Sequence, residues 1–128
     1  MPTFPGNTGD VVTSAMWNGL PAYAVQTAKT ADYTATSGDE YQQLIPMNKA
    51  TAIAFKIPTD ATYNFPVGTV ITVLNIGVGD CTISAVTSGT TTVLSAGATA
   101  AAPVLGQYKT AACIKTAANA WYVVGGVA

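Results

Sequence analysis

Apolar and polar residues alternate over Ala50–Ile57, with Ile53, Phe55 and Ile57 on one side and Pro58 ending the run, as expected of a strand with one buried face. Cys81, Ile83 and Ala85 repeat the pattern against Thr82 and Ser84. The strongest signal is Phe65–Ser84, where β-branched residues dominate both halves, Pro66 and Gly68 punctuate the start, and Gly77, Gly79 and Asp80 lie between. This stretch predicts a β-hairpin. A first hairpin is expected over residues 32–45, turning at Ser37-Gly38-Asp39-Glu40 and stopped by Pro46. Thr91–Ser95 predicts one more strand, and 107–116 with 120–126 predict a C-terminal hairpin turning at Ala118-Asn119. Trp121 and Tyr122 are neighbours on its second arm, so Trp121 is expected inside and Tyr122 outside. Residues 96–103 are alanine-rich without large anchors and read as a loop, the rival being a short helix over Ala98–Ala102. The sum is an all-β domain of about seven or eight strands, a β-sandwich or jelly-roll-like arrangement over residues 26–128.

Residues 1–25 differ from this domain. Pro2, Pro5, Gly6, Gly9, Gly19 and Pro21 interrupt any long element, leaving room for one helical turn capped by Thr13 or Ser14. An extended N-terminal arm is expected. Phe4, Met16, Trp17, Leu20 and Tyr23 are too many large apolar groups to leave in water, each contributing roughly 1.5–3 kcal/mol when buried. They are candidate docking residues, either against their own domain or against another subunit or protein.

Charge sharpens the picture. Only 9% of the 128 residues are charged, where about 25% is usual, and the formal net charge is −1. An exterior this bland is covered by Thr, Asn, Gln and Gly or is hidden against partners, since interface cores are poor in charge. The five lysines, at 29, 49, 56, 109 and 115, form no run, which argues against nucleic acid as a partner. No run approaches eighteen apolar residues and the first residues lack the pattern of a signal peptide, so no membrane partner is expected and the chain is expected to stay where it is made. In a reducing cytosol Cys81 and Cys113 would be free, buried thiols.

Little catalytic chemistry is on offer. Histidine is absent, which removes the commonest acid–base group and a common metal ligand, so neither a metal nor any other cofactor is expected. Asp39-Glu40 is the one adjacent carboxylate pair; neighbours on an extended chain diverge, and both are expected to be solvated in a turn. A nucleophilic cysteine would need a basic neighbour, and only Lys115 shares a face with Cys113. Asp80 alone cannot build a calcium loop. Tyr33, Tyr41, Tyr63, Tyr108, Trp121 and Tyr122 could offer a sugar platform. A non-enzymatic role is expected.

Three segments, Gly9-Asp10-Val11-Val12-Thr13, Phe65-Pro66-Val67-Gly68-Thr69-Val70-Ile71-Thr72-Val73 and Trp121-Tyr122-Val123-Val124-Gly125, together resemble tailed-bacteriophage virion structural proteins. These include small capsid decoration (cement) proteins, head fibres and tail-fibre terminal domains. The spacing from Lys115 through Trp121 to Gly125 is similar to the final hairpin of such domains. The resemblance implies a homotrimer made in the host cytoplasm and carried on the virion surface. The size of the chain favours a decoration protein that binds and stabilises the assembled shell through its arm, with the major capsid protein as partner; the alternative is a fibre or receptor- or glycan-binding tip.

Overall fold

A computed structural model describes residues 24–41 and 44–128. Among the described residues there are nine strands and no helix. In chain order they are β1 (Tyr33–Thr34), β2 (Leu44–Met47), β3 (Ile53–Ile57), β4 (Val70–Asn75), β5 (Cys81–Ala85), β6 (Thr92–Ser95), β7 (Val104–Leu105), β8 (Thr110–Ala117) and β9 (Ala120–Gly125). They form a four-stranded sheet in the order β1-β3-β5-β7 and a five-stranded sheet in the order β2-β4-β8-β9-β6. Both sheets mix parallel and antiparallel pairs.

The alternation is realised as expected in β3 and β5: Ile53, Phe55, Ile57, Cys81 and Ile83 are buried, and Thr82 and Ser84 face the other way. They meet Ile45, Met47, Ile71, Val73, Trp121 and Val123 of the larger sheet in one apolar cluster. The C-terminal hairpin also forms, with β8 antiparallel to β9 and an irregularity between Lys115 and Ala117. Asn119 takes the left-handed conformation its turn needs (φ 50°). Trp121 is buried and Tyr122 exposed. Residues 96–103 contain no helix.

Two expected hairpins do not form. Over 65–84, β4 and β5 lie in different sheets, β4 between β2 and β8 and β5 between β3 and β7. Asn75 organises the crossing. Its Nδ2 donates to the carbonyls of Gly79 (2.9 Å) and Leu105 (2.8 Å), while its Oδ1 accepts from Gly77 N (3.1 Å). Gly77 and Gly79 have ordinary negative-side backbone angles; they are needed because the backbone of residues 49–51 passes against them. A Cβ on Gly79 would lie 1.8 Å from the Thr51 carbonyl oxygen, and one on Gly77 2.4 Å from Lys49 N. These glycines permit close approach and not the tight turn expected of them.

The region 32–45 is likewise split, β1 pairing in parallel with β3 and β2 in parallel with β4. Pro46 does not end its strand. Leu44 N donates to Ala24 O, so the nitrogen of Pro46, two residues on, faces the same rim, where a missing N–H costs the sheet little. Residues 24–29 line that rim through parallel bridges Val25 to Leu44 and Lys29 to Met47.

Candidate interaction face

The five strands of the larger sheet contain one charged residue, Lys115, and it points inward. A lysine 1% exposed requires a full set of acceptors. Its Nζ donates to Asp60 Oδ1 (2.8 Å), Asn64 Oδ1 (2.8 Å) and the Phe65 carbonyl (2.7 Å). Asp60 in turn accepts from Asn119 N (3.0 Å), and Asp60 N donates to Asn119 Oδ1 (2.8 Å). The cluster ties the loop before β4 to the β8–β9 hairpin. Above it Tyr63, Phe65 and Trp121 stack edge to face, with centroids 4.5 and 5.7 Å apart.

The outward side of this sheet is hydrocarbon and hydroxyl. Reading across the strands, one row runs Val25, Leu44, Thr72, Ala112, Val124, and the next runs Val70, Ile114, Tyr122, Leu94. Val25 is 61% exposed, Tyr122 46% and Val124 50%; Leu94 is also exposed. At the β6–β9 corner Leu94, Ala96, Tyr122, Val124 and Val127 line a groove of about 250 Å³ with no charged residue in its wall. The second of these rows is apolar on all four of its strands, which makes this face the candidate interaction surface among the described residues.

The candidate docking residues Phe4, Met16, Trp17, Leu20 and Tyr23 lie outside the described residues. The chain is first described at Ala24, on the rim beside β2, at the end of the first apolar row. Residue types single out the arm and place Tyr122 outside, but nothing in the sequence marks Leu94 and Val124, which no polar alternation sets apart as a second face.

Of the groups weighed for chemistry, Tyr122 lies in this face, while Asp39, Glu40, Lys115 and the two cysteines are hydrogen-bonded or buried away from it. Asp39 is not solvated: it is 4% exposed and accepts from Gln26 Nε2 (2.7 Å), from the Tyr33 hydroxyl (2.7 Å) and from Thr36 N (2.8 Å). Glu40 accepts from Gly38 N (2.6 Å) and from the Tyr63 hydroxyl. Burial and the Asp39 carboxylate both push the Tyr33 phenol well above its ordinary range. Cys81 and Cys113 are free and buried, and burial pushes the first up to about 11 and the second to about 12, which suppresses the thiolate. Lys115 faces inward with Cys113, but its three bonds go to Asp60, Asn64 and Phe65. Of the six aromatics considered as a platform, Trp121 is in the core, Tyr33 and Tyr63 are half-buried and hydrogen-bonded, and Tyr41, Tyr108 and Tyr122 are exposed. Among the described residues no three His, Cys, Asp or Glu side chains converge as metal ligands, and no helix is long and apolar enough to cross a membrane. No family model, curated protein or solved structure matches this chain.

Proposed function

We propose that this chain is a non-enzymatic virion structural protein, a homotrimeric capsid decoration protein whose β-sandwich or jelly-roll-like domain stands on the shell and whose residues 1–25 dock it there. The observation that carries this reading is the charge-free outward face of the five-stranded sheet, joined at its rim by an apolar arm. A low overall charge and a set of apolar arm residues then have one cause, burial between chains. The major capsid protein is the proposed partner and the capsid surface the proposed location, after synthesis in the host cytoplasm. Such a protein binds the assembled shell and not its separated parts, so it stabilises the shell by mass action.

A fibre or glycan-binding tip is the second reading, favoured by Tyr41 and Tyr108, both exposed on connecting segments. Co-sedimentation of the purified chain with mature capsids stripped of it, beside a host-cell binding assay, separates the two. Saturable binding to shells at a fixed ratio to capsomers supports decoration; binding to cells and not to shells supports the tip.

A further inference from the structure

We propose that the groove at the β6–β9 corner receives residues 1–23 of a neighbouring copy, so that copies join head to tail. This rests on the self-association part of the reading above, gives residues 1–23 to a neighbouring copy in place of the shell contact assigned to them there, and does not depend on capsid binding. The donor and the acceptor stand at opposite ends of one cross-strand row: Val25, where the arm joins the domain, begins it, and Val124, in the groove wall, ends it. Four strand-to-strand steps put them about 19 Å apart across the sheet. A copy whose groove corner abuts its neighbour's β2 rim therefore meets that neighbour's arm directly. Such a contact uses two different patches, and its repetition gives a ring when the rotation closes. A homotrimer is the ring this reading requires.

The chemistry of the two surfaces agrees. Residues 1–23 carry one charged side chain, Asp10, against Phe4, Met16, Trp17, Leu20 and Tyr23. The groove wall carries none. The groove has no charge whose hydration must be shed, and the arm has that of Asp10 alone. Area points the same way: a groove corner set against a rim is narrow beside the ~800 Å² that each partner commonly contributes to a stable interface. An arm laid into the neighbour supplies the remainder. Fully extended, 23 residues span no more than ~83 Å, so the chain's own groove is also within reach, and the experiment separates the two seats.

The full chain is prepared with Leu20→Cys in one tagged copy and Leu94→Cys in a differently tagged copy; the copies are mixed, oxidised and examined without reductant. The native thiols are buried and do not compete. A covalent pair containing both tags, absent from either copy alone, is the expected product. A third chain carries both substitutions; a link formed only within that chain, with none between tagged copies, overturns the proposal in favour of an arm folded on its own domain. No link in any combination overturns it outright. In parallel, Tyr122→Lys and Leu94→Lys, both at exposed positions, are expected to weaken association by ~100-fold while the circular dichroism stays that of the native chain. Unchanged native mass in both variants contradicts the groove's role. Arm-to-groove links in a protein that ignores shells would leave this inference standing and remove the decoration reading.

Discussion

The two sheets of this protein are charged on opposite sides. Each has a single charged residue in its strands: Lys56 in the four-stranded sheet, on the outward side, and Lys115 in the five-stranded sheet, on the inward side. Outside the smaller sheet Lys56 stands between Thr34 and Ser84, and Thr82 between Ala54 and Val104. That is the ordinary division of a sheet with one face in water. Outside the larger sheet stand Val70, Ile114, Tyr122 and Leu94, while inside are Lys115 and Asn75, each with its polar atoms engaged. An inward lysine and an outward hydrocarbon face are both costly for an isolated domain, and the second ceases to be costly once a partner covers it.

Removing the inward charge has the largest expected effect. Lys115→Met leaves the partly buried Asp60 carboxylate without its cation and should lower unfolding stability by about 3 kcal/mol, whereas Lys56→Met should change it by less than ~0.5 kcal/mol. Urea unfolding of the two variants measures the contrast; equal effects would mean that the inward lysine is no clamp. Next comes the outward face. Tyr122→Lys should cost association ~100-fold and Ser84→Lys, its counterpart on the smaller sheet, nothing measurable by sedimentation equilibrium. Asn75→Ala removes the side chain that turns the chain from one sheet into the other and should cost about 2 kcal/mol, seen as a lower urea midpoint.

The smallest effect concerns the two inward thiols, Cys81 on the smaller sheet and Cys113 on the larger. Both are protonated below about pH 8 whether the chain is folded or not. Above that the unfolded chain releases its thiol protons first, since the folded values lie near 11 and 12, so unfolding binds fewer protons and stability falls as pH rises. Tyr33 and Tyr63, both raised, add to the same slope at still higher pH. The urea midpoint should be insensitive to these thiols between pH 7 and 8 and decline above 9, and a thiol reagent at pH 8 should label neither cysteine faster than the chain unfolds. Rapid native labelling would contradict the burial.

In the smaller sheet β3 and β5 were legible with their buried faces, while β7 and the pairing of β1 were not, and the larger sheet was legible only in part, for a physical reason. Ile53, Phe55 and Ile57, like Cys81 and Ile83, alternate with residues that face water, so period-two patterning reports them. In β4 the run Val70-Ile71-Thr72-Val73-Leu74 has large apolar residues on both sides, so patterning says strand without saying which side meets the core; in β9, where Val123 and Val124 are alike, only the pair Trp121-Tyr122 tells the sides apart. The pairing of β4 with β5 was misread because Gly77 and Gly79 look like turn residues, while the contacts that require them, the backbone of residues 49–51, are distant in the chain. Asp39 was misread for the same cause: its partners Gln26 and Tyr33 come from outside its own turn. The buried charge of Lys115 carries no local mark either, since Asp60 and Asn64 precede it by some fifty residues.

If copies join head to tail as proposed, the β6–β9 corner of the five-stranded sheet is buried against a second copy of this chain. Sedimentation equilibrium of the unmodified full-length protein at low micromolar concentration tests it most directly. A single species of three times 13.0 kDa is the predicted result. A clean 13.0 kDa monomer with Tyr122, Val124 and Leu94 open to solvent would contradict it.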